Sequence, residues 1–341
     1  MHRKLFILSL LILLVTVFSF TTGDQSTGSN AKAVKSLYLK NTENFKKEAA
    51  AFHRILKTRN EKNIQQQFFK TRAAYKAIEL YVEYWFAFYA GKLNGPPIPF
   101  FEEAESDVPM QQPSGLQLIE SFIFPHINPS AKKQLELQAA ELERYSIELP
   151  QVTESHAFDD NNIFDAVMEQ LYRISTLTIT GFDSQAAFNS LSECRSSLAS
   201  LQELLKIYET DINKQSDGSY DRINTKLTSA QQYLLKNNDF NAFNRMEFIQ
   251  RFLDPVTIAV GEYKIASDFN DNPGGEFYSS IRKSSSLFKA GIFNQYRFID
   301  DYTSSAFKIA FGRKLFFEKQ LSSNSQRSCA SCHIPGKAFT D

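Results

Sequence analysis

The chain has 341 residues, too many for one ordinary core of about 100 to 200 residues, so one large or two smaller domains are expected. Lysine plus arginine and aspartate plus glutamate both number 38, and this balance leaves no net field to draw the chain to nucleic acid or to an anionic membrane surface. Only 13 glycines and 11 prolines occur, below the usual shares of roughly 7% and 5%, which favours long helices over a many-stranded sheet.

At the N-terminus His2-Arg3-Lys4 is followed by an apolar run at 5–20 and then by Thr21-Thr22-Gly23-Asp24. That order of basic, apolar and small polar residues is the order of a secretory signal, read here as a leader at 1–23 that is removed on export to the periplasm. An uncleaved anchor is the competing reading, but the apolar run holds about sixteen residues where a spanning helix needs about twenty. No cysteine follows it that could carry a lipid. Residues 24–34 are read as a linker, with Ser, Thr and Gly at 25–30.

The next 250 residues carry helical spacing. Phe45, Ala49, Phe52 and Leu56 fall on one stripe, as do Tyr75, Ile78, Val82, Trp85 and Tyr89, and then Phe164, Val167, Leu171 and Ile174. Asp183 is read as an N-cap before the stripe Phe188, Leu191, Cys194, Leu198, Leu201, Leu205 and Tyr208. Ile223, Leu227, Ala230 and Leu234 mark another helix, and residues 242–252 a further one that Pro255 interrupts. Each stripe needs a partner, so residues 35–285 are expected to form a helical bundle. Cys194 lies on an apolar stripe and is read as a small buried hydrophobe. Turn-forming residues cluster at 94–99, 215–219 and 271–275, and a domain boundary is expected at about residue 285 to 300.

The chemistry is concentrated at Cys329-Ala330-Ser331-Cys332-His333. Two thiols separated by two residues can add to the two vinyl groups of a haem, and the following histidine is then held at the iron as an axial ligand. Covalent attachment keeps the cofactor bound outside the cytoplasm, in agreement with a leader. Three other readings exist. A redox dithiol expects a βαβ setting, but Leu321-Ser322-Ser323-Asn324-Ser325-Gln326 is a polar loop in a helical chain. A structural zinc site needs four ligands, and a plain disulfide leaves His333 without a role.

The flanks Ala310-Phe311-Gly312-Arg313-Lys314-Leu315-Phe316-Phe317-Glu318, Pro335 and Lys337-Ala338-Phe339-Thr340-Asp341 complete a compound motif. From about residue 293 to the end the chain resembles the first haem motif of the bacterial di-haem cytochrome c peroxidase family. The resemblance implies haem c on Cys329 and Cys332, His333 as proximal ligand, and Arg313, Phe316 and Phe339 near the haem. It also implies hydrogen peroxide as substrate, and a small cytochrome c or cupredoxin as electron donor. The fold class implied for the whole chain is all-α: an N-terminal helical bundle followed, at 290–341, by the truncated start of a cytochrome c-like haem domain. No membrane span is expected after leader cleavage.

The chain departs from the family at Ile334 and Gly336, where acidic or amide residues are common, and it ends eight residues past His333. The family's second Cys-x-x-Cys-His lies downstream of that point, so an incomplete member is expected. Peroxide cleavage needs an open iron position, a proton-moving group and a second reducing equivalent. His126, His156, Met110, Met168 and Met246 are conceivable sixth ligands, each read as an ordinary core or surface residue. A mono-haem electron-transfer module without peroxidase activity is the alternative.

Tyr75-Lys76-Ala77-Ile78-Glu79, Asn94-Gly95-Pro96-Pro97 and Gly115-Leu116-Gln117-Leu118-Ile119-Glu120 resemble the helical extension that precedes the peroxidase domains in some bacterial proteins. The last segment is also similar to the imelysin motif Gly-x-His-x-x-Glu, whose histidine and glutamate are thought to serve a metal. Gln117 occupies the histidine position, and an amide is a poor transition-metal ligand, so Glu120 is read as a capping or pairing group within the bundle. A metal-handling imelysin-like protein is the third reading.

Overall fold

The computed structural model describes residues 28–99, 112–267, 269, 286, 305–337 and 339. The leader and nearly all of the expected domain boundary lie outside them. Two compact units are distinguished, Met1–Tyr278 with Lys283–Ile292 and Ser279–Arg282 with Phe293–Asp341. The chain is all-α, with no β-strand among the described residues. No described helix is long and apolar enough to cross a membrane.

In the first unit α1 (Ser29–Ile55) packs against α2 (Glu61–Lys76) and α6 (Lys132–Ser155). The stripe read from sequence explains this, because Phe45, Ala49 and Phe52 are fully buried there. Each of the two phenylalanines contributes roughly 1.5–3 kcal/mol by leaving water, and the alanine less. The helix already begins at Ser29, and Ala31 and Val34 are buried, so residues 29–34 belong to the bundle and not to a linker. Asn60 starts α2 by accepting from the Asn63 amide at 3.0 Å.

The stripe through Tyr75 and Tyr89 is not one helix. It breaks into α2, α3 (Glu79–Trp85) and α4 (Ala87–Leu93). At the first break the carbonyl of Ala77 accepts from Ser200 Oγ at 2.8 Å, a partner on a distant helix that sequence spacing does not reveal. α5 (Gly115–Ile123) meets the end of α4 so closely that a Cβ on Gly115 would lie 2.4 Å from the Leu93 carbonyl oxygen, and its φ of +74° also favours glycine.

α7 (Asp160–Thr176) is capped by Asp159 and packs on α3. α8 (Ser190–Ile207) packs on α2 and on α10 (Ser219–Lys236), with the short α9 (Glu209–Gln215) between them in sequence. Asp183 does not cap α8, which begins seven residues later, and Phe188 is exposed at φ +54° instead of lying on the stripe. Pro255 does not interrupt the last helix either. α11 (Arg245–Phe248) runs through a π turn (Ile249–Leu253) into α12 (Asp254–Ala266), and Pro255 falls just after the π turn, in the first turn of α12.

The second unit contains α13 (Ala306–Phe317), short 3-10 turns and the Cys-Ala-Ser-Cys-His segment.

Candidate haem-attachment site

Serines set the attachment turn. Cys329–Ser331 is a 3-10 turn in which Ser328 and Ser331 cap each other's backbone, the Ser328 amide donating to Ser331 Oγ at 3.0 Å. Upstream, the Arg327 amide donates to Ser322 Oγ at 3.2 Å and the Gln326 amide to Asn324 Oδ1 at 3.1 Å, so the polar loop orders itself locally. The amides of Cys332 and His333 both donate to the Cys329 carbonyl, at 3.2 and 2.9 Å. One tight turn therefore carries both thiols and the imidazole.

Cys329 and Cys332 are free and exposed. His333 Nδ1 lies 3.2 Å from the carbonyl oxygen of Phe339. With the proton on Nδ1 donated to that carbonyl, the lone pair of Nε2 is left for a metal, which is how backbone partners commonly orient ligating histidines. The Phe339 amide in turn donates to Ile334 at 2.9 Å, closing a small loop around the imidazole. Phe316, from α13, meets the Phe339 ring edge-on at 5.8 Å between centroids. Arg313 is exposed on the same helix. The donor set of two free thiols and an oriented imidazole on one turn fits a thioether-linked haem.

The other candidates belong to the helical body. His126 is exposed and pairs with Glu61 at 3.0 Å, and His156 meets the rings of Phe86 and Phe158 edge-on and that of Trp85 at a tilt. Met168 is core, Met246 is exposed, and Met110 lies outside the described residues. Cys194 is a buried free thiol whose pKa burial pushes up. Among the described residues no three or more His, Cys, Asp or Glu side chains are grouped to hold a metal ion. Glu120 acts as a cap: its Oε1 accepts from Ser184 Oγ at 3.1 Å and from the amides of Ala186 and Ala187 at 3.0 and 2.9 Å.

Sequence spacing missed a buried ionic cluster around Asp183. Arg72, fully buried, grips Glu193 with Nε at 2.9 Å and with Nη2, and also reaches the Asp183 carbonyl at 2.9 Å and Asn94 Oδ1 at 2.6 Å. Lys76 Nζ lies 2.5 Å from Glu79 and 2.6 Å from Asp183. Gln170 holds the other Glu79 oxygen at 2.8 Å, and Arg173 pairs with Glu83 at 3.1 Å. Burial alone would raise the Asp183 carboxyl, but Lys76, Arg72 and Arg173 outweigh it and hold the group below the usual carboxylate range. Burial wins at Glu83 and Glu120, raising both against the pull of Arg173 and Arg72 respectively. The signal for this cluster was Arg72, Lys76 and Glu79 at steps of four and three, a charged stripe one position from the apolar stripe of Tyr75 and Ile78.

No curated protein matches the chain. Residues 306–341, which hold α13 and the attachment turn, match the family described as Di-haem cytochrome c peroxidase, so the C-terminal segment of this chain carries that family's sequence signature.

Proposed function

We propose that the protein is an exported, periplasmic c-type haem protein of cytochrome c peroxidase type, with one haem c joined to Cys329 and Cys332 and with His333 Nε2 as axial ligand. The observation that carries the reading is the coincidence of the family match with a turn on which two free thiols and an oriented imidazole stand together. The N-terminal order of basic, apolar and polar residues supports export, and thioether attachment suits a compartment where a loosely held cofactor would be lost.

When bound, the haem supplies a redox-active iron. This chain's own residues hold it: the thiols fix its edge, the Phe339 carbonyl fixes the tautomer of His333, and Phe316 with Phe339 offers aromatic surface. The reaction proposed is reduction of hydrogen peroxide to water, which consumes two electrons and two protons per peroxide, the electrons coming from a small cytochrome c or cupredoxin. The second reading is a mono-haem electron carrier, which needs the turn at Cys329–His333 but no proton-moving group beside the iron.

Stopped-flow oxidation of a reduced small cytochrome by peroxide, with the haem-loaded chain as catalyst, separates them. Catalytic turnover supports the peroxidase reading. Rapid electron exchange with the donor, without peroxide consumption, supports the carrier.

A further inference from the structure

The turn that carries the two thiols has no core to lean on. Cys329–Ser331 contains no buried residue, and Cys329, Ser331, Cys332 and His333 are all exposed, so packing does not fix its shape. Hydrogen bonds do. The Ser331 amide donates to the Ser328 carbonyl at 3.0 Å, and Ser331 Oγ accepts from the Ser328 amide at 3.0 Å and lies 3.4 Å from Ser328 Oγ. The upstream tie, from the Arg327 amide to Ser322 Oγ at 3.2 Å, ends before the first cysteine. The downstream tie, between His333 Nδ1 and the Phe339 oxygen at 3.2 Å, begins after the second. The serine pair is the side-chain clamp that spans the cysteines. Of the two residues between them, only Ser331 has a polar side chain, its neighbour being Ala330.

Resting on the haem attachment proposed above, we infer that Ser331 is a positioning residue for the bond-forming step. Its hydroxyl holds the turn closed before the cofactor arrives, so that Cys329 and Cys332 approach the two vinyl groups from one preset backbone. In each addition a sulfur–carbon bond forms as a vinyl π bond is spent, and the thiol proton passes to the other vinyl carbon. No electrons are exchanged, so free thiols suffice, and both cysteines are free. Two additions to one rigid ring favour a preset turn, because the entropy of ordering the segment is lost beforehand and not at the reacting geometry. Removing a side-chain cap of this kind lowers the ordered fraction roughly fivefold.

The test follows the full chain and its variants in cells with export and haem-attachment machinery, reading covalent haem per chain against time from haem-stained denaturing gels. Ser331→Ala is expected to slow attachment about fivefold, and Ser331→Thr, which keeps the hydroxyl, to stay within about twofold of the parent. In the purified haem-free chain, NMR reads the Ser328 amide proton. Its shift should respond weakly to temperature in the parent and in Ser331→Thr, and as strongly as a water-bonded amide in Ser331→Ala. Unchanged attachment in Ser331→Ala, slowed attachment with an unaltered Ser328 amide, or failure of Ser331→Thr to keep the rate would overturn the role of Ser331 alone. A parent chain that takes up no covalent haem would overturn the reading of the site, and the role of Ser331 with it.

Discussion

The helical body and the C-terminal haem-motif segment handle their hydrophobic and polar groups in opposite ways. In the body, Arg72 is among the largest fully buried side chains, and three cations, Arg72, Lys76 and Arg173, sit among five carboxyl groups, Glu79, Glu83, Glu120, Asp183 and Glu193, tied by hydrogen bonds from α2, α3, α5, α7 and α8. In the segment, α13 has no buried residue, Phe307 is 77% exposed and Ile309 64% exposed. A body that encloses even its charges specifies its own interior. A helix that leaves its aromatic face open depends on something added to it, and in the proposed reading the haem is part of that addition.

Removing both thiols breaks this contrast most severely. Cys329→Ala with Cys332→Ala is expected to abolish covalent haem completely, read as loss of the peroxidase-active haem band on a denaturing gel, while circular dichroism of the helical body stays unchanged. Arginine replacement compares the two regions directly. Arg72→Met strands Glu193 in the interior and is expected to cost about 3–5 kcal/mol in urea unfolding, whereas Arg313→Met on exposed α13 should shift the same curve by less than about 0.5 kcal/mol. Equal losses would mean that the segment is as closed as the body.

A third prediction concerns pH. Burial raises Glu169 from 4.5 to about 7, against the pull of Arg173. The folded state thus holds a proton that the unfolded chain releases between about 4.5 and about 7, so this group's contribution to stability is present below about 4.5 and is lost as pH rises through about 7. Glu169→Gln should remove that slope, worth a few kcal/mol at most, since each tenfold change in proton affinity corresponds to about 1.4 kcal/mol. Thermal melts from pH 4.5 to 7.5 would show it, and an unaltered slope in the variant would sink the assignment. A smaller effect than the Arg72 and Glu169 changes is expected at Cys194→Ala, a loss of about 1 kcal/mol with haem content unchanged.

The Cys-x-x-Cys-His motif was visible in the sequence because it is local, two cysteines and a histidine within positions 329–333, whereas the capping of its turn by Ser328 and Ser331 was not read there. The core stripes of α1, α7, α8 and α10 were legible for a similar reason, since their period is fixed by helix geometry. What could not be read was assembled from afar. Asp183 resembled a cap because an acidic residue stood before an apolar stripe, yet Lys76 and Arg72, more than a hundred positions away, claim it. The turn before α8 draws its cap from Glu120 on α5 instead. The apparent single helix through Tyr75 and Tyr89 failed because apolar period survives a tight break, and only the path of the backbone distinguishes one helix from three.

The central claim is that Cys329 and Cys332 hold a haem covalently, and the most direct test is a pyridine haemochrome spectrum of the full chain, produced with export and haem-attachment machinery and stripped of loose haem with acidified acetone. One haem per chain with the blue-shifted band of saturated, thioether-linked vinyl groups is the expected result. A stripped protein without haem, or haem whose vinyl groups remain unsaturated, would contradict it.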